Sequence, residues 1–82
     1  MSAPAKLKTG STIGIFGGGQ LGRMLSSAAQ KLGFNVLIYD PKHDTPAGRI
    51  STAATAAPYE EMAAVSRFAK ACDVITLVKL RL

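Results

Sequence analysis

The sequence is poor in the residues that build disulfides, metal centres and catalytic triads: it holds one cysteine and one histidine. A single Cys72 excludes an internal disulfide and any multi-cysteine metal site, and it fits a reduced, cytoplasmic setting. Cys72 reads as a small buried hydrophobe. His43 has only Asp40 and Asp44 near it in sequence, so it reads as a solvated loop side chain. No Ser/His/Asp set is present. Glu60 and Glu61 are adjacent and do not converge as a catalytic pair, so no catalytic residue and no metal ligand is assigned. Long apolar runs are missing too. The longest, Thr12–Phe16, Val36–Tyr39 and Val74–Val78, fall far short of the roughly 20 residues that span a bilayer. No membrane partner is expected, and Met1–Ser11 carries no secretory pattern.

Acidic residues are scarce, five Asp+Glu against ten Lys+Arg, giving a formal charge of +5. A basic domain invites a nucleic-acid reading. Here the cations are scattered from Lys6 to Arg81, with no run or helical stripe and no interleaved aromatics. The expected partner is therefore a small anionic substrate, and no nucleic acid. With 48% hydrophobic and 18% charged residues, the composition is that of an ordinary globular protein. Its 82 residues make one domain, which buries only about 60–65% of its unfolded surface.

The pattern along the chain is strand–helix–strand. Thr12–Phe16 is β-branched and apolar and is closed at once by glycines, as expected of a buried parallel strand. Gln20–Leu32 switches to helical period. Leu21, Met24, Leu25, Ala28, Ala29 and Leu32 form the apolar stripe expected to face the core, with Gly33 stopping the helix. Phe34–Asp40 is the second strand, ended by Pro41, and together the three elements predict a right-handed βαβ unit. Asp44–Gly48 reads as a turn around Pro46, and Ile50–Ala57 as a poor third strand or a loop. Pro58, Glu60 and Glu61 look like a helix start with acids in the first turn. Met62, Val65, Phe68, Ala69 and Cys72 supply the apolar face of that helix, and Asp73–Val78 is a last strand. The fold class is α/β: a Rossmann-like βαβ unit with a partial parallel sheet, about half of a doubly wound domain. The expected division is a flexible lead-in over 1–11, a nucleotide- or substrate-binding domain over 12–76, and a divergent or truncated end over 77–82.

The most informative residues are Gly17-Gly18-Gly19-Gln20-Leu21-Gly22. They satisfy G-x-G-x-x-G directly after a strand and at the opening of a helix, the context in which that motif has meaning. Gly17 can take the tight turn, Gly19 lets a ligand approach the backbone, and Gly22 lets the helix pack close to the strand. The amides of the first helical turn, with the helix dipole behind them, suit a phosphate or carboxylate. Asp40, ending the second strand, is where such folds often place a ribose-binding acid. The candidate substrate- or phosphate-binding set is thus Gly17, Gly18, Gly19, Gln20, Leu21, Gly22 and Asp40. Arg23 is either a phosphate contact or an exposed cation. Taken alone, the motif favours NAD or FAD and a nicotinamide- or flavin-dependent oxidoreductase. A non-catalytic nucleotide-binding remnant is a third reading.

The run from Thr12 to Leu25, with Gly17-Gly18-Gly19-Gln20-Leu21-Gly22-Arg23-Met24 at its centre, resembles the opening of the N5-carboxyaminoimidazole ribonucleotide synthetase family. The likeness continues through Ala28-Ala29, Leu32-Gly33, Asp40-Pro41 and Asp44-Thr45-Pro46-Ala47. It resumes at Arg67-Phe68-Ala69 and Cys72–Thr76. The resemblance implies the N-terminal pre-ATP-grasp part of a cytoplasmic ligase of purine biosynthesis. That family uses ATP, with Mg²⁺, and bicarbonate to carboxylate 5-aminoimidazole ribonucleotide through carboxyphosphate. It implies that the glycine loop helps hold the ribonucleotide, with Gly18, Gly19, Gln20 and Leu21 facing it. ATP and Mg²⁺ are held mainly by later domains, and the full-length family forms homodimers.

Two departures accompany the likeness. Ile50–Ala57 is blander than the family's strand there. After Thr76 the family continues into a Glu-Phe-Glu-Asn-like stretch, whereas this chain reads Leu77-Val78-Lys79-Leu80-Arg81-Leu82. A changed reading frame or a truncation is the expected explanation, and the chain alone is expected to bind ligand without catalysis.

Overall fold

A computed structural model describes residues 8–77. Its elements are β1 (Thr12–Phe16), α1 (Gln20–Lys31), β2 (Asn35–Asp40), α2 (Pro46–Ile50), β3 (Ala53–Ala56), α3 (Met62–Lys70) and β4 (Val74–Leu77). The strands form one parallel sheet in the order β3-β2-β1-β4, so the expected α/β class and partial parallel sheet are present. The chain runs outward from β1 through β2 to β3, then returns to place β4 on the other side of β1. Asp73 fastens that return: its carboxylate accepts from the Thr12 amide at 2.7 Å, and its own amide donates to the Thr12 carbonyl at 2.8 Å.

Because strand side chains alternate between faces, the runs of consecutive apolar residues within β1 and β2 give the sheet two cores. On the α1/α2 face Ile15, Val36, Ile38 and Ala47 are buried, with Ile13 and Ala29 against them. On the α3 face Tyr39, Ala64 and Phe68 are buried, with Phe16, Leu37, Val65 and Cys72 around them. Gly14 makes room for that second layer, since a Cβ there would run into the Cys72 sulfur and the Phe68 ring.

α1 meets the sheet on a different face from the one its apolar stripe predicts. Leu21, Met24, Leu25 and Leu32 are 43%, 66%, 42% and 69% exposed, whereas Gly22 and Ser26 are buried. The reason is close approach: a Cβ on Gly22 would strike the Gly17 carbonyl oxygen. Only small residues fit where the helix touches the sheet, so the larger apolar side chains are turned outward by roughly a quarter of a turn. The helix stops as expected. Gly33 takes φ +93°, its amide donates to the Gln30 carbonyl, and Phe34 donates to the Ala29 carbonyl, which together cap the last turn.

Two further expectations change, and the strand alternative for the third segment holds. The turn around Pro46 is the short helix α2, capped by Thr45, whose hydroxyl accepts from the Gly48 amide at 3.1 Å. The bland third segment is strand β3, exposed along its whole length but paired to β2 from Leu37–Ala53 to Asp40–Ala56. α3 begins at Met62, after a turn in which Glu61 donates to the Pro58 carbonyl, so its first turn carries no acid and Met62 is exposed. Val78, the rest of 78–82 and the first seven residues of the lead-in lie outside the described residues.

Candidate functional site

The loop between β1 and α1 leaves the carboxyl end of the sheet beside the end of β2. Gly17 takes φ +124°, a value open to glycine and costly for other residues, and its amide donates to the Tyr39 carbonyl at 2.9 Å. Gly18 is buried and held from three sides. Its amide donates to Asp40 Oδ2 at 2.8 Å, its carbonyl accepts from the Ala47 amide at 2.9 Å, and a Cβ would collide with the Thr45 side chain. Gly19 is the opposite case: no described atom lies within 4 Å of where its Cβ would stand. Gly17 thus supplies the tight turn and Gly19 the open approach, while Gly18 ties the loop to its surroundings.

α1 starts without a side-chain cap among the described residues, Gly19 being its N-cap, and no acid lies in its first turn. The Arg23 amide donates to the Gly19 carbonyl at 2.9 Å, the first rung of the helical ladder. The amides of Gln20, Leu21 and Gly22 precede that rung, where a helix carries its positive end. Gln20 and Leu21 are exposed and Gly22 is packed against Gly17.

Asp40 braces the loop from below. Besides Gly18, its Oδ1 accepts from the Lys42 amide at 2.9 Å, so one carboxylate fixes the two turns that leave β1 and β2. Asp40 also borders a hollow of about 170 Å³ with Lys42, His43, Thr45, Arg49 and Thr55. Within it Arg49 donates to both oxygens of Asp44, at 2.8 and 3.0 Å, and this pair holds the Asp44 carboxyl below its ordinary value. A second cleft of about 250 Å³ runs between Gln20 and Arg23 of α1 and Pro46, Arg49 and Ile50 of α2. Arg23 therefore borders a cleft but stands outside the glycine loop.

Cys72 donates to the Phe68 carbonyl at 3.2 Å, and burial pushes its thiol pKa up, the opposite of what a reactive thiolate needs. Among the described residues no three His, Cys, Asp or Glu side chains come together as a metal site. No helix of the described residues is long and apolar enough to cross a membrane.

Thr45 is the site residue that reading the glycine motif missed. Its signal was available, since Thr followed by Pro is a cap followed by a favoured first helical residue.

Residues 10–78 match the family described as the ribonucleotide synthetase preATP-grasp domain. The chain belongs to that family. It is 45% identical over 71 residues to an N5-carboxyaminoimidazole ribonucleotide synthase of Staphylococcus aureus, covering 87% of this chain and 19% of the relative. The Brucella melitensis enzyme of the same name is 47% identical over 70 residues, with 85% and 19% covered. A crystal structure of the Staphylococcus aureus synthetase complexed with ADP superposes with a TM-score of 0.84 at 44% identity, over 88% of this chain and 19% of that one. The preATP-grasp chain thus spans about a fifth of the length of these relatives. The dinucleotide oxidoreductase reading is not favoured.

Proposed function

We propose that this preATP-grasp domain places a ribonucleotide for an ATP-dependent ligase of purine biosynthesis, one that carboxylates 5-aminoimidazole ribonucleotide with bicarbonate. The observation that carries the reading is the open approach at Gly19 onto an uncapped helix start, on a loop clamped by Asp40. Gly19, Gln20 and Leu21 present backbone amides to an oxygen-rich ligand, and the Gln20 side chain both donates and accepts. Gly17, Gly18, Gly22 and Asp40 shape and hold the loop. ATP and Mg²⁺ belong to parts of the longer ligase outside this chain, so the domain alone binds without turnover. The ligase works in the cytoplasm. A homodimer is the oligomer proposed for the full-length protein.

Titration of the chain with 5-aminoimidazole ribonucleotide tests the reading. Saturable binding that weakens about tenfold in Gly19→Val, with folding preserved, is the expected result. Equal affinity of the two chains, or no binding by either, refutes it. A carboxylation assay with ATP and bicarbonate is expected to show no product from this chain alone.

A further inference from the structure

Beside the glycine loop lies an aromatic group that the phosphate-binding account does not use. Phe16 and Tyr39 are paired residues at the carboxyl ends of β1 and β2, with ring centroids 5.2 Å apart. Tyr59, from the connection between β3 and α3, lies on them. Its ring is stacked on Tyr39 at 5.6 Å and 25°, and tilted against Phe16 at 6.1 Å. The connection is tied down next to it, since the Tyr39 hydroxyl donates to the Pro58 carbonyl at 2.8 Å. The ring is therefore held in place, yet Tyr59 remains 43% exposed. Its position relative to the loop is equally defined: Gly17 follows Phe16 directly and is bonded to Tyr39. The Asp40 carboxylate is near enough to help burial raise the Tyr59 phenol pKa.

The ring stacks on Tyr39 and stays nearly half exposed at the same end of the sheet as the glycine loop. Flat heterocycles stack on such surfaces, and stacking tolerates any planar ring.

We propose that Tyr59 is a positioning residue that stacks on the heterocycle of the ligand whose phosphate or ribose the glycine loop holds. This inference rests on the ribonucleotide reading above. It assigns the two ends of one ligand to two features, the sugar phosphate to Gly19–Leu21 and the planar ring to Tyr59.

The test compares two probes, 5-aminoimidazole ribonucleotide and ribose 5-phosphate, the second having no heterocycle. Binding of each to the wild-type chain and to Tyr59→Ala, Tyr59→Leu and Tyr59→Phe is measured by calorimetry, with circular dichroism confirming the fold. Loss of one base stack weakens binding by about 10- to 100-fold. Tyr59→Ala and Tyr59→Leu are expected to lose that much affinity for the ribonucleotide and to keep ribose 5-phosphate within about twofold. Tyr59→Phe keeps both. Leu retains apolar cover over Tyr39 without a flat ring, so it carries the test if Ala unfolds the chain. Unchanged ribonucleotide affinity in Tyr59→Leu, or equal weakening of both probes, overturns the inference and leaves the ribonucleotide reading standing. Failure of the wild-type chain to bind either probe overturns both.

Discussion

Replacing Ser26 by alanine is expected to stabilise the domain. Ser26 lies on the buried face of α1, completely shielded from solvent, and its hydroxyl has no hydrogen-bond partner among the described residues. An unpartnered buried hydroxyl costs about 1–3 kcal/mol in lost hydration. Alanine removes that cost and is a better helix former than serine by about 0.5 kcal/mol. Against this stands the packing of one oxygen atom, whose removal leaves a gap too small for water and forfeits only about 0.1–0.2 kcal/mol per atomic contact. The net expectation is a gain of about 1–2 kcal/mol. For a domain of this size each kcal/mol moves the midpoint by about 4–8 °C, so Tm should rise by roughly 5–15 °C. Thermal and urea unfolding followed by circular dichroism measure it, with the urea slope unchanged. Ser27→Ala, half-buried on the neighbouring position, is the control and should shift stability by less than about 0.5 kcal/mol. A Ser26→Ala chain less stable than wild type refutes the reasoning, because it would mean that the hydroxyl is bonded in solution.

Gly22→Ala places a methyl group against the Gly17 carbonyl, a backbone atom that cannot move cheaply, so a loss of about 1–3 kcal/mol in urea unfolding is expected. Asp40→Asn keeps the shape but removes the charge that accepts the Gly18 and Lys42 amides; it should cost about 1.5–3 kcal/mol and shift the Gly18 amide resonance in NMR spectra. Burial, with a further push from Glu61, raises the Tyr39 phenol pKa above 10.0. A pKa raised on folding contributes stability that is complete below the unfolded value and is lost as pH climbs through the folded one. Stability should therefore decline above about pH 10, and Tyr39→Phe should flatten that decline in a pH series of urea midpoints.

The βαβ opening was legible because each boundary carries a separate physical signal: a β-branched run, three glycines, a helical period and a glycine at the helix end. The orientation of α1 was not. Helical periodicity locates an apolar stripe, but the face that meets the sheet was decided by the collision a Cβ on Gly22 would make with the Gly17 carbonyl, a contact between residues of different elements. β3 was obscure because its exposed Ala-Ala-Thr-Ala carries no apolar alternation. Backbone pairing to β2 and the bond from the Val36 amide to the Thr52 hydroxyl place it. In the candidate site, the glycine spacing announced a ligand loop and the strand-end acid was visible as Asp40. Its actual bonds, to the amides of Gly18 and Lys42, depend on how two turns meet in space, which spacing along the chain does not encode.

The central claim is that the amides opening α1 hold a ribonucleotide. A ¹⁵N-resolved NMR titration of the chain with 5-aminoimidazole ribonucleotide, run beside one with NAD, tests it most directly. Saturable shifts concentrated on Gly19, Gln20 and Leu21 with the ribonucleotide, and none of that pattern with NAD, are the predicted result. Shifts at those amides with NAD alone, or no saturable shift there with either ligand, would contradict it.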